Sequence, residues 1–229
     1  MKKILIVEDE RAIRLALEDD FLAEGYRVDS AVTGNEGLQK GSEQNYDIIL
    51  LDIMLPQMDG FEVIKELRKR DVRTPVIMLT AKSQEIDKIL GLEFGADDYV
   101  TKPFSPRELQ SRVKAVLRRV DMKPGQSYKN QFSFGGINID FEKYECFRNG
   151  EKIFLTTLEF DLLRFLIDHK GKVVNRNQIM NEVWGPDVFV APRTIDTHIL
   201  NLRKKIEDNP AKPVWIIGVR GRGYKFISP

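Results

Sequence analysis

The chain has 229 residues, 42% hydrophobic and 31% charged, with a net charge of +1 and one cysteine. This is a soluble globular composition, long enough for two ordinary domains with their own cores, and the lone Cys146 excludes an internal disulfide. No stretch approaches the roughly 20 apolar residues of a membrane helix, and MKKILIVEDE meets Glu8, Asp9 and Glu10 too soon for a secretory signal, so a cytoplasmic protein with no membrane partner is expected.

Apolar runs alternate with amphipathic patterns through the first 120 residues. ILIV is followed by a helix from about Arg11 to Leu22, with Ile13, Ala16, Leu17 and Phe21 on one face. RVDSAV and a short helix near Glu36 come next, then IILLDIM and a helix carrying Phe61, Ile64 and Leu67. PVIMLTA precedes a helix with Ile86, Ile89 and Leu92; DYVTKP precedes a last one with Leu109, Val113, Val116 and Leu117. The runs ILIV, IILL and VIML do not alternate, as befits parallel strands covered by helices on both faces. Five strand–helix repeats therefore predict an α/β fold, a five-stranded doubly wound parallel sheet over residues 1–120.

DMKPGQSYKNQF, residues 121–132, has Pro, Gly and Ser and no period, and reads as a linker. Residues 133–229 form the second unit. FSFGGINID, YECFRNG and EKIFLT predict a small antiparallel sheet with Cys146 half-buried on a strand. Helical patterns follow over Leu158–His169, Arg176–Val183 and Arg193–Ile206, with Phe160 and Trp184 as core residues and His169 capping the first. VWIIGVRGRGYKFIS closes the chain as two strands around a Gly-Arg-Gly turn. Together these make an α+β winged helix-turn-helix domain. Charge follows the division. Residues 1–120 hold 19 Lys+Arg against 22 Asp+Glu, a net of −3, and residues 121–229 hold 17 against 13, a net of +4, which points the second unit at nucleic acid.

In an open parallel sheet, ligands bind outside the carboxyl ends of the strands. Those ends hold Glu8 and Asp9, Asp52, Thr80, and Lys102 with Pro103. Three crowded acids call for a cation, and an all-oxygen set suits Mg²⁺ with substrate phosphate completing its shell. A carboxylate there can attack phosphorus to form an acyl phosphate, with a lysine and a hydroxyl meeting the phosphoryl oxygens. Asp52 is the expected nucleophile, helped by Lys102 and Thr80.

The combination VEDE, LLDIMLPQMDGFE, PVIMLTAK and GADDYVTKPFSPREL resembles the flavodoxin-like receiver domain of bacterial two-component response regulators. The resemblance implies phosphorylation of Asp52 by a sensor histidine kinase, and Mg²⁺ held by Asp9, Asp52 and the main-chain carbonyl of Met54, with Glu8 as an outer acid. It implies Thr80 and Lys102 on the phosphoryl group, Tyr99 as an aromatic switch that turns inward when Thr80 moves, and a cis Lys102–Pro103 bond. It also implies a homodimer of phosphorylated receivers through an exposed face bearing Lys88, Glu93, Asp97, Asp98, Glu108, Arg112 and Lys114, with Lys88–Glu108 and Asp97–Arg112 as cross-subunit pairs.

TTLEFDLLRFLIDHKGKVVNRNQIMNEVW, RTIDTHILNLRKKIE and IIGVRGRGYKF are similar to the effector domain of the OmpR/PhoB family. On its recognition helix Ile195, Ile199, Leu202 and Ile206 form the inward stripe, and Arg193, Thr194, Thr197, His198, Asn201, Arg203 and Lys204 the polar face for promoter DNA. Arg203 and Lys204 are read as phosphate contacts and His198 and Asn201 as base readers; Arg220 and Arg222 arm the wing. RNA polymerase is a further candidate partner. Two other readings stay open: an Mg²⁺-dependent phosphatase with an aspartyl intermediate, against which Met54 stands where a general acid is needed, and a DNA-binding protein whose receiver is never phosphorylated.

Overall fold

Side chains alternate across a strand, so a strand buried on both faces needs apolar residues at every position. In the computed structural model, which describes residues 1–81, 95–121, 130–185 and 192–228, ILIV and IILL do this. They lie in β1 (Lys3–Val7) and β3 (Ile48–Asp52), flanked by β2 (Arg27–Ala31), β4 (Val76–Ala81) and β5 (Asp98–Lys102). The five strands run parallel in the order β2-β1-β3-β4-β5. The more polar RVDSA takes an edge.

The two faces carry two cores. Ile4, Ile6, Ile48, Leu50, Ile77 and Leu79 pack with Leu17 and Phe21 of α1 (Arg11–Ala23) and with Leu109, Val113 and Val116 of α4 (Pro106–Asp121). Leu5, Val7, Ile49, Leu51 and Met78 pack with Leu38 of α2 (Gly34–Glu43) and with Val63, Ile64 and Leu67 of α3 (Gly60–Lys69). Burying each such side chain stabilises the fold by roughly 1.5–3 kcal/mol before entropy is counted. The expected helix around Ile86–Leu92 lies outside the described residues.

Local signals set the helix starts. Thr33 and Asp59 cap α2 and α3 by accepting from the amides of Glu36 and Glu62. Gly60 must lack a side chain, because a Cβ there would stand 2.2 Å from the carbonyl oxygen of Asp52. The turn thus returns tightly onto the end of β3, with the Gly60 amide donating to the Ile53 carbonyl. At the opposite end of the sheet, Arg68 donates to the carbonyls of Val72, Thr74 and Gly95 and pairs with buried Asp97.

The chain divides into two compact units, Met1–Leu117 and Arg118–Pro229. The second begins with an antiparallel meander of β6 (Gln131–Phe134), β7 (Ile137–Asp140), β8 (Glu145–Arg148) and β9 (Glu151–Ile153). Helix α5 (Thr157–Asp168) opens on a Thr156–Glu159 capping box, and His169 closes it, its Nδ1 2.9 Å from the Phe165 carbonyl. Helix α6 (Arg176–Ile179), capped by Asn175 and Gln178, runs into a π-helical turn over Met180–Trp184. Helix α7 (Pro192–Ile206) buries Ile195, Ile199, Leu202 and Ile206, and Phe160 and Trp184 are buried as expected. The closing sheet has three strands, β10 (Val173–Val174), β12 (Gly223–Phe226) and β11 (Ile216–Val219). The pattern showed only two, since a two-residue strand carries no readable alternation.

Cys146 is fully buried instead of half-buried, on a strand whose register partner Ile139 is buried as well. Burial, with the nearby Glu159 charge, pushes its thiol up to about 12. The native protein is therefore expected to resist a thiol-specific alkylating reagent at neutral pH and to take up one equivalent in denaturant. Stoichiometric labelling of the native protein would contradict this burial.

Candidate functional site

The order β2-β1-β3 reverses direction at β1/β3, so loops leaving these strands diverge and open a crevice at their carboxyl ends. Glu8 and Asp9 follow β1, and Asp52 ends β3. Glu8 is fully buried, Asp52 is 4% exposed and Asp9 is exposed. One carboxylate oxygen from each lies within 4.8 Å of the others. Lys102, at the end of β5, reaches across, its Nζ 2.7 Å from both Glu8 Oε2 and Asp52 Oδ2. The Met54 amide donates to Asp52 Oδ1 at 3.3 Å.

Burial raises the Glu8 carboxyl pKa, Asp52's like charge adds to this, and Lys102 works against it. For Lys102, burial disfavours the ammonium, yet its bonds to Asp52 and Glu8 prevail and the pKa is raised. The pocket thus keeps one fixed cation beside two buried acids. Thr80, 1% exposed, follows Leu79, the register partner of Asp52. Tyr99, half-buried, packs against the layer formed with α2 and α3. The Lys102–Pro103 bond is cis.

The expected charged face is redistributed. Asp97, just before β5, is buried, because it accepts from the Val76 amide at the start of β4 and pairs with Arg68. Asp98 is also buried and binds Arg112 at 2.8 Å within the chain, and Arg112 further holds Glu108 at 3.2 Å. Lys114 pairs with Glu24. Of that set Glu108 and Lys114 remain exposed, while Lys88 and Glu93 lie outside the described residues.

Helix α7, the expected recognition helix, is also phased differently. Thr194, His198 and Asn201 are buried, the His198 ring lying 5.3 Å from that of Trp184, so the two expected base readers sit on a covered flank. Arg203 turns inward, donating through Nε and Nη2 to the Ile216 carbonyl at 3.0 and 2.7 Å. Arg193, Leu200 and Lys204 are exposed and Thr197 is half-exposed, a stripe at helical spacing. Leu200 was missed because an apolar residue on a polar face reads as noise from sequence. Arg220 and Arg222 are exposed at the tip of the β11–β12 hairpin.

Comparison with known proteins gives a family for each unit. Residues 4–114 match the family model for the response regulator receiver domain, and residues 150–226 that for the transcriptional regulatory protein C terminal. The chain is 45% identical over 234 residues, covering 100% of itself and 98% of the relative, to the alkaline phosphatase synthesis transcriptional regulatory protein PhoP of Bacillus subtilis (strain 168). A mutant of RitR aligns over 100% of both chains with a TM-score of 0.82 at 28% identity. The response regulator DrrB, a Thermotoga maritima OmpR/PhoB homolog, aligns over 100% of both with a TM-score of 0.53 at 36% identity.

Proposed function

The chain belongs to the OmpR/PhoB response regulators, with a sensor histidine kinase and DNA as its partners, and on that premise we propose how its own residues carry the signal. Asp52 accepts the phosphoryl group: its carboxylate oxygen bonds to phosphorus as the bond from phosphorus to the kinase imidazole breaks. The observation that carries this reading is Lys102 Nζ, held 2.7 Å from Asp52 Oδ2. That ammonium orients the carboxylate and is placed to meet phosphoryl oxygens as charge builds on them. Thr80 donates its hydroxyl to the same group. The protein is an acceptor in the cytoplasm, with at most slow self-dephosphorylation.

Three carboxylates within 4.8 Å form an all-oxygen set that fits Mg²⁺. Glu8, Asp9, Asp52 and the Met54 carbonyl would hold it, Glu8 as the outer acid because its side chain is wholly buried. When bound, the ion offsets the clustered charge and neutralises phosphoryl oxygens. Incubation with Mg²⁺ and a small phosphodonor, followed by intact-mass measurement, tests the reading. Addition of one phosphoryl group supports it, and no addition refutes it.

The phosphorylated receiver dimerises through the face bearing Tyr99 and Glu108, and two effectors then engage two DNA half-sites at high effective concentration. Arg193, Thr197, Leu200 and Lys204 enter the major groove, Arg220 and Arg222 reach phosphates or the minor groove, and RNA polymerase is engaged from the assembled complex. Glu108→Lys is expected to shift the monomer–dimer balance of phosphorylated protein toward monomer in sedimentation while leaving Asp52 labelling intact. A phosphorylated wild type that stays monomeric, free and on a two-half-site duplex, would remove the dimer from the mechanism.

A further inference from the structure

The wing hairpin is tied on both sides by polar latches to α7 and to Glu207 just past its end. On the β11 side, buried Glu207 accepts from the amides of Val214, Trp215 and Ile216 at 2.8, 2.9 and 2.9 Å. Arg203 holds the carbonyl of the same Ile216. On the β12 side, the Tyr224 hydroxyl donates to Asp196 Oδ1 at 2.6 Å, and Arg176 Nε donates to that same oxygen at 2.8 Å. The Tyr224 ring has the Arg176 guanidinium 5.2 Å and the Arg203 guanidinium 5.7 Å from its centroid. Next to it, Gly223 lies so close to β10 that a Cβ would stand 2.0 Å from the Val174 carbonyl oxygen.

An acid on a DNA-reading helix is at first sight a liability, since it repels phosphate. Asp196 is only half-exposed, and its oxygen is shared by a hydroxyl and a guanidinium, which direct it toward the wing. Arg220 and Arg222 lie two to four residues before Tyr224 on the hairpin, so the angle at Tyr224 sets where the tip falls relative to Arg193, Thr197, Leu200 and Lys204. We infer that Asp196 and Tyr224 are positioning residues for DNA recognition: they hold the wing at the angle at which its arginines and the α7 stripe engage one duplex together.

The mechanism makes a prediction that loss of packing does not. Tyr224→Phe keeps the ring and its two guanidinium contacts and removes only the hydroxyl, so the fold should persist. The wing then samples many angles and its contacts are paid for in ordering entropy. The probe is a duplex selected from a random-sequence pool by the wild-type full-length chain, at one fixed salt concentration. Tyr224→Phe should bind it about five- to tenfold more weakly, the size of one lost polar contact. A double-mutant cycle then separates the roles. Arg222→Ala should cost much less in the Tyr224→Phe background than in the wild type, while Lys204→Ala should cost the same in both. Asp196→Asn, which keeps an oxygen for the hydroxyl, should recover most of the affinity lost in Asp196→Ala. The inference is overturned if Arg222→Ala and Tyr224→Phe are additive, if Lys204 couples to Tyr224 as strongly as Arg222 does, or if Asp196→Asn binds no better than Asp196→Ala. Should Tyr224→Phe prove unfolded by near-UV circular dichroism, the Asp196 pair alone decides the matter.

Discussion

Asp52→Ala is expected to take up no phosphoryl group under conditions that label the wild type to one per chain, as read by intact mass. The reason lies in placement. Asp9 is exposed and the Glu8 side chain is 0% exposed, so Asp52, its side chain 6% exposed, 2.7 Å from Lys102 and beside the main chain of Met54, is the carboxylate that can meet phosphorus with a cation already at hand. A nucleophile cannot be replaced by a neighbour, so the loss should be complete rather than graded. Chelation of divalent metal should abolish wild-type labelling as well, because the single charge of Lys102 offsets only part of three acids within 4.8 Å. Labelling of Asp52→Ala at the wild-type rate would move the acceptor elsewhere.

Lys102→Ala should produce the second large effect, on stability as much as on phosphorylation. Its Nζ is the cation between Glu8, whose side chain is 0% exposed, and Asp52, whose side chain is 6% exposed. Removing one member of a buried ion cluster typically costs about 3–5 kcal/mol, since the remaining charge loses its partner. Two relief routes make the prediction specific. Glu8 can protonate: its pKa is already raised in the folded state by burial and by Asp52, and loss of Lys102 raises it further. A carboxyl with a raised folded pKa favours the folded state below its unfolded value of 4.5, and that advantage is lost as pH climbs through the folded value. The penalty of Lys102→Ala should therefore be smallest in acid and full at neutral pH. Magnesium is the other route, so in urea unfolding Mg²⁺ should stabilise the variant more than the wild type relative to chelator. Equal stabilisation of both proteins, or no penalty in chelator, would show that Lys102 does not balance these acids.

Much of this was written in the sequence. Unbroken apolar runs can only be strands buried on both faces, and once the sheet is parallel its chemistry must gather where those runs end, so Glu8, Asp9, Asp52, Thr80 and Lys102 were readable from spacing alone. The helical patterns read from Arg11 and Arg176 begin where α1 and α6 do.

What required the tertiary structure was the partner of each surface charge. A helical pattern gives the inward stripe of α7, yet it cannot tell which flank another element will cover; that is why His198 and Asn201 read as base contacts and are buried, while Leu200 is exposed. Asp97 and Asp98 read as surface acids until Arg68, 29 residues away, and Arg112, 14 residues away, are brought against them. Asp196 reads as an acid out of place on a DNA-binding helix until Tyr224, 28 residues later, donates to it. Periodicity encodes which way a side chain faces relative to its own backbone; the group that meets it there comes from a distant part of the chain, and only the folded packing of both decides whether that charge stays in water, pairs, or aims a neighbour at DNA.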